Sequence, residues 1–204
     1  KLAHAVRRVG QGEINVPIRV DRNDEIGELA HNFGHMRDSL FTDTLTGCAN
    51  RDALPHILAM LMRKTENGQP PRPFAVLFID LNRFKPLNDR WGHDNGDRAL
   101  IEVTQRIKAE LPKHGRLARV GGDEFVAIVP GIDDDAKAVW ERRRLESVLE
   151  PGLATLEGVP EGEVVTVGAS IGYGLYPRDG DDPQALLRHA DQEMYRRKNA
   201  ASRF

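Results

Sequence analysis
The chain has 204 residues, enough for one sizeable domain of mixed α and β structure plus a short accessory segment. Its 40% hydrophobic and 29% charged residues exclude intrinsic disorder, and a formal net charge of -2 excludes a broad basic face for nucleic acid or anionic lipid. A single cysteine, Cys48, excludes an internal disulfide and a cysteine-bound zinc cluster, which fits a reducing compartment.

No apolar run reaches the ~18 residues of a membrane helix, and no signal peptide is evident. The opening "KLAHAVRRVG" lacks an initiator Met and starts within a helix, so the chain is expected to be a piece of a longer protein. Leu2, Ala5 or Val6, and Val9 form a short apolar seam there. In "GQGEINVPIRV" the Gly and Pro exclude a continuous helix, while Val16, Ile18 and Val20 alternate as in an extended connector. From Asp24, "DEIGELAHNFGHMRDSL" places Ile26, Leu29, Phe33, Met36 and Leu40 at spacings of three and four, the period of a coiled coil. Helix, connector and helix in this order resemble a HAMP signalling domain lacking the start of its first helix. Gly12-Glu13-Ile14 looks like its glycine-led connector and "DEIGELAHNF" like the start of its second helix. The resemblance implies a parallel four-helix homodimer, formed through these N-terminal helices, on the cytoplasmic side of an inner membrane and downstream of a transmembrane sensor. The plainer alternative is a surface helix packed on its own domain.

Residues 1–41 are assigned to this segment and residues 42–204 to a second domain. After a polar turn, a helix from about Asp52 as N-cap buries Leu54, Ile57, Leu58 and Leu61. "KTENGQPPRP" is a loop. "FAVLFID" is a continuous apolar run too short for a helix and reads as a central strand covered on both faces. "GDRALIEVTQRIKAEL" is amphipathic through Leu100, Val103, Ile107 and Leu111. Residues 117–120 and 125–129 then read as a strand pair around two glycines and two acids. A helix over about 134–150, a Gly/Pro-rich loop, a strand within "EVVTVGASIGYGLY" and a helix with Asp182 at its N-cap and Pro183 at N1 complete the chain.

Turn geometry alone accounts for Gly121 and Gly122; the acids Asp123 and Glu124 need another explanation. Asp80 closes "FAVLFID", where its side chain is expected to emerge at the end of the strand. Taken singly it could be a turn-former. A hairpin turn packed beside the central strand would bring Asp80 and Asp123 within reach of a shared Mg²⁺, which accepts carboxylates, water and substrate phosphates as ligands. Two such ions about 4 Å apart clamp an attacking hydroxyl and a leaving pyrophosphate. Gly121 and Gly122 would let a bulky ligand approach the backbone. Lys85 offers a point charge for phosphate, and Asn88, His93 and Asp97 offer an amide, an imidazole and a carboxylate for a base edge. Asp accepts the paired donors of guanine, a face adenine lacks.

From "DTLTGCANR" through "DLNRFKPLND", "GHDNGD", "RVGGDEF", "SIG", "YPRDG" and "HADQEMYRRK", residues 42–204 resemble a GGDEF domain, the diguanylate cyclase family. The resemblance implies an α+β, palm-like fold with a mainly antiparallel sheet flanked by helices. It implies Mg²⁺, or Mn²⁺ in its place, held by Asp80, the Leu81 carbonyl and Asp123, with Glu124 as a metal ligand or an activator of the 3′-hydroxyl. Guanine contacts are implied from Asn88 and Asp97, and phosphate contacts from Phe84, Lys85 and Lys198. His93 either lies near the substrate or orders the turn. The implied reaction joins two GTP into cyclic di-GMP with release of two pyrophosphates, one GTP from each half of a homodimer. Two other readings stand beside it: a GTP-holding module that regulates a domain beyond Phe204, and a dimerisation piece with no nucleotide role.

Two departures matter. An inhibitory product site in this family uses Arg-x-x-Asp before the GGDEF turn, where this chain has Pro112-Lys113-His114-Gly115, so no such site is expected. Four residues after Lys198, where the pattern has a second basic residue, stands Ser202, with Arg203 beside it. Other features have ordinary explanations. His31 and His35 read as a solvated helix face, "ERRRLE" at 141–146 as exposed, locally paired charge, and Met60, Met62, Trp91 and Trp140 as packing residues.

Overall fold
The computed structural model describes residues 2–10, 24–64 and 68–201. Helices α1 (Leu2–Gly10) and α2 (Glu25–Phe41) precede α3 (Ala53–Leu61), β1 (Phe74–Asn82), α4 (Phe84–Trp91), α5 (His93–Glu110), β2 (Arg116–Arg119), β3 (Glu124–Pro130), α6 (Asp135–Leu149), β4 (Gly168–Tyr176) and α7 (Pro183–Ala201). The expected extended connector, including Gly12, Ile14 and Val16 to Val20, lies outside the described residues.

One four-stranded sheet runs in the order β2-β3-β1-β4, with every neighbouring pair antiparallel. Its central strand β1 has an odd-numbered face of Ala75, Leu77, Ile79 and Leu81, which packs with Leu100, Val103 and Ile107 of α5 and Leu145 and Leu149 of α6. Phe74 and Val76 face the other way, onto Leu54 and Leu58 of α3 and Leu186 and Ala190 of α7. Two buried faces explain why "FAVLFID" is apolar throughout rather than alternating. Helix α7 lies directly on β4: a Cβ on Gly172 would come within 2.0 Å of the Met194 nitrogen.

The strand pair, the strand in "GASIGYGLY" and the last helix stand where the sequence places them, and Asp182 does cap α7 by accepting from Gln184 and Ala185 N–H. Several expectations are corrected. Helix α4 is additional; only Phe84 and Leu87 of its eight residues are buried, too few to set a visible period. Asp52 makes no capping bond, because its backbone is already helical, and Asn50 accepts from Ala53 N–H instead. Gly121 and Gly122 do not adopt positive φ. Met60 and Trp140 are 40% and 63% exposed, since both lie on the outer sides of their helices. In "ERRRLE", Glu141 and Arg142 are buried; the pairing is local, with Arg144 on Glu141 and Arg142 on Glu146, but it sits in the α5/α6 contact, where Arg144 also reaches Glu110.

Helix α2 starts as expected, with Asp24 accepting from Gly27 N–H. Its seam is uncovered: Ile26, Leu29, Met36 and Leu40 are 46–60% exposed, so this helix does not bury them on its own domain. His31 and His35 are exposed beside the seam and contact each other through their Nε2 atoms at 2.9 Å. Among the described residues no helix is long and apolar enough to cross a membrane.

Candidate functional site
Asp80 is not at the end of β1. The strand continues to Asn82, and Asp80 is only 7% exposed, pairing with Glu124 of β3 on one side and Ser170 of β4 on the other. Directly opposed residues share a face, so Asp80 and Glu124 project toward the α3/α7 side. From there Lys198 of α7 reaches in, placing Nζ 2.6 Å from Asp80 Oδ1. Asp123, the residue before β3, is fixed by a hydrogen bond from Leu81 N–H to its carbonyl oxygen at 3.1 Å. That bond brings the backbone of Leu81, the acid preceding it and the Asp123-Glu124 pair together at one end of the two central strands.

The electrostatics record the crowding. Burial first, and then the Asp80 charge, hold the Asp123 carboxyl above its ordinary value, with Lys198 and Arg119 partly offsetting them. Glu124 is raised by burial, then by Asp80, Asp123 and Asp191, against a smaller opposing effect of Arg51. Gly121 is required by this arrangement rather than by turn conformation: a Cβ there would lie 2.3 Å from Glu124 Oε2. Around Gly122 the space is open.

Beyond β1 the chain turns sharply at Arg83, whose φ of 61° is in the left-handed region, and enters α4 at Phe84. The first-turn N–H groups of a helix have no partner within it and suit an anion. Here they belong to Phe84 and the exposed Lys85. At the other end of α4, Asn88 lies against α5 so closely that a Cβ on Gly96 would come within 1.8 Å of its Oδ1. Among the described residues this Oδ1 is buried without a hydrogen-bond partner, an acceptor awaiting a donor. Asp97, one residue on from Gly96, is exposed. His93 is also exposed, and the turn is held instead by Asn95, which bonds the Trp91 carbonyl and the backbone of Glu157.

The predicted site residues Asp80, Leu81, Asp123, Glu124 and Lys198 are thus gathered at this end of the central strands, with Phe84 and Lys85 following directly in chain and Asn88 and Asp97 across the α4/α5 junction. Among the described residues no three His, Cys, Asp or Glu side chains converge as a metal cage.

Two residues escaped the sequence reading. Arg119 donates to the Gly122 carbonyl through Nε and Nη2 and to both Asp43 oxygens through Nη1. Asp43 also accepts from Thr46 N–H and Oγ1. Burial works to raise its carboxyl, but these Thr46 bonds and Arg119 outweigh it and hold it below the ordinary value. The available signal was the D-x-x-T spacing of a side-chain-closed turn in "DTLT". The turn is sewn to the sheet, with Arg119 N–H donating to Ala49 and Ala49 N–H to Leu117, and to α2, with Asn50 N–H donating to Phe41 and its side-chain amide to Leu40.

Residues 40–203 match the family described as diguanylate cyclase, GGDEF domain. The chain belongs to this family. Residues 1–42 match the HAMP domain. The chain is 32% identical over 219 aligned residues to the diguanylate cyclase TpbB of Pseudomonas aeruginosa, covering 98% of this chain and 48% of that protein. It therefore spans about half the length of this curated relative. A solved sensory box/GGDEF family protein from Caulobacter crescentus is 35% identical, with a TM-score of 0.69 over 78% of this chain and 99% of that one. The coiled coil and GGDEF domain of DgcB from the same organism, solved with c-di-GMP, covers 98% of this chain and 96% of that one with a TM-score of 0.73; at 20% identity it supports the fold alone. The GGDEF domain here keeps the antiparallel sheet and flanking helices expected of it.

Proposed function
We propose that this chain is a diguanylate cyclase that joins two GTP into cyclic di-GMP. The observation that carries the reading is the meeting of Asp80 with Asp123 and Glu124, pinned by the Leu81–Asp123 hydrogen bond. Asp80, the Leu81 carbonyl, Asp123 and Glu124 would hold Mg²⁺, or Mn²⁺, which when bound would neutralise charge on the reacting phosphate and the leaving pyrophosphate.

The protein's own groups do the rest. Asp97 accepts from the N1 and N2 donors of guanine, and the Asn88 amide meets its remaining edge groups; adenine presents no such pair of donors. Phe84 and Lys85 N–H groups and the Lys85 ammonium receive phosphate oxygens, and Lys198 contributes charge from α7. The open backbone at Gly122 admits the nucleotide. In each of two steps a 3′-oxygen of one nucleotide forms a bond to the α-phosphorus of the other. The bond from that phosphorus to pyrophosphate breaks, and the hydroxyl proton passes to Glu124 or to water. Glu124, raised by burial and then by its acidic neighbours, is suited to take a proton.

Each chain presents one nucleotide, so two copies must face each other. The uncovered α2 seam supports a parallel homodimer that raises the local concentration of the second half-site. Its match to HAMP supports control through these helices by a membrane sensor upstream. Incubation with GTP and Mg²⁺ followed by chromatography tests the reading. Cyclic di-GMP is expected; bound but unchanged GTP would make the chain a nucleotide-holding regulator instead.

A further inference from the structure
On α2, His31 and His35 stand one turn apart and converge: their Nε2 atoms are 2.9 Å from each other and the rings meet edge to face, with centroids 4.3 Å apart. Both side chains are exposed. Two imidazoles bound to one divalent cation at about 2.0–2.1 Å, with a right angle between the bonds, hold their nitrogens roughly 2.9 Å apart. The separation found is therefore the bite of a chelate with square-planar or octahedral angles. Tetrahedral Zn²⁺ asks for about 3.3 Å, a small opening between two exposed rings. A cation takes the place of the one hydrogen that the two nitrogens can share. Each neutral imidazole keeps its proton on Nδ1 and turns the lone pair of Nε2 to the cation.

The surroundings favour a cation. Glu28 lies one turn before His31 and Asp38 one turn after His35, both exposed, so acid flanks the pair along the helix. Among the described residues no third His, Cys, Asp or Glu closes on it, so water completes the shell and the site stays open. Neither histidine belongs to the apolar seam; at 3.6 residues per turn they fall on another face of α2, which leaves the seam free for a second copy. The turn that they span is intrinsically soft. Gly34 sits between them, and an interior helical glycine costs about 1 kcal/mol relative to Ala. Packing does not require it, since a Cβ there would meet nothing within 4 Å. Ser39 donates to the His35 carbonyl, a back-bond that loosens a helix. We propose that His31 and His35 form a binding site for an imidazole-preferring divalent cation of the Ni²⁺, Cu²⁺ or Zn²⁺ class, and that the bound cation clips the turn containing Gly34. Mg²⁺, proposed for the acidic cluster, prefers oxygen and does not compete for it. The clip stiffens α2 just ahead of its last turn.

The test titrates Ni²⁺, and Zn²⁺ in parallel, into the full chain kept in excess Mg²⁺, and compares His31→Ala, His35→Ala and Gly34→Ala with wild type. Calorimetry should give one cation per chain, with Ni²⁺ held more tightly than Zn²⁺ in an open site of this geometry. Each histidine variant should bind at least about tenfold more weakly, since even a ligand's outer hydrogen-bond partner is worth that much, and should melt at the wild-type temperature without the cation. In wild type the cation should slow hydrogen exchange of the amides over residues 35–39. In Gly34→Ala that exchange should start slower, and the cation should add less. Equal affinity in wild type and both histidine variants overturns the site by placing the cation elsewhere. So does a stoichiometry of half a cation per chain with dimers forming, which means that two copies share it. Binding that both histidine variants lose, without slowed exchange in wild type, overturns the clip. None of these readouts needs turnover of GTP, so the inference is decided separately from the cyclase reading.

Discussion
Glu124→Gln should make the metal-free protein more stable. Glu124 and Asp80 stand directly opposite on β3 and β1, a relation that puts Cβ atoms about 5 Å apart. With the carboxylates at roughly 6 Å and an effective dielectric of about 20, their repulsion is ~3 kcal/mol before screening. Lys198, 2.6 Å from Asp80, offsets part of this, and the partial exposure of Glu124 admits solvent, which leaves about 1 kcal/mol. The amide keeps the shape and loses no hydrogen bond among the described residues. For a protein of this size ~1 kcal/mol corresponds to about 2–4 °C in melting temperature. Thermal melts in EDTA should show that rise, and the added stabilisation from Mg²⁺ should be smaller in the variant than in wild type. A fall in the EDTA melting temperature, or equal stabilisation of both proteins by Mg²⁺, would refute the view that these acids are held together against their own repulsion to receive a cation.

Gly96→Ala sets a methyl within 1.8 Å of Asn88 Oδ1, so the amide must swing aside. GTP affinity, followed by fluorescence of a labelled analogue, should drop about tenfold or more, and retained affinity would remove Asn88 from guanine recognition. Glu102 is buried and accepts from Ala154 N–H, Thr155 N–H, Thr155 Oγ1 and Arg106. Burial works to raise its carboxyl, but the Thr155, Ala154 and Arg106 interactions outweigh it and depress the value. Its stabilisation is therefore present above its ordinary value of 4.5 and lost as pH falls through the depressed one. Glu102→Gln should cost about 1–3 kcal/mol at neutral pH, and denaturant titrations should show the difference from wild type shrinking below pH ~4.5. Leu29→Glu puts charge on the uncovered seam; light scattering should show a shift toward monomer, with the rate of cyclic di-GMP formation falling and the melting temperature of the cyclase domain unchanged.

The strands were legible because burial on both faces writes itself as unbroken apolar runs. The acids were legible because "GGDEF" puts charge where a turn needs none. Helix α4 was not: its polar, proline-containing sequence carries two buried anchors, and the left-handed Arg83 that starts it leaves no compositional mark. Trp140 illustrates a limit of composition, since a large aromatic residue on a helix indicates burial only if its face is known. The contacts that define the site join residues far apart in the chain. Lys198 meets Asp80 across 118 positions and Arg119 meets Asp43 across 76. Local spacing cannot encode such pairs. The glycine at 121 was read for the wrong reason, because its need comes from a side chain three residues on.

The last turn of α2, the loop closed by Asp43 and the carbonyl of Gly122 are joined by consecutive hydrogen bonds through Asn50 and Arg119. A shaft coupled this way has no slipping joint. On the proposed reading, torque arriving from upstream would be delivered to the acidic rim as rotation of a whole body, and the switch would lie in how two such bodies are aimed at each other rather than in any reshaping within one.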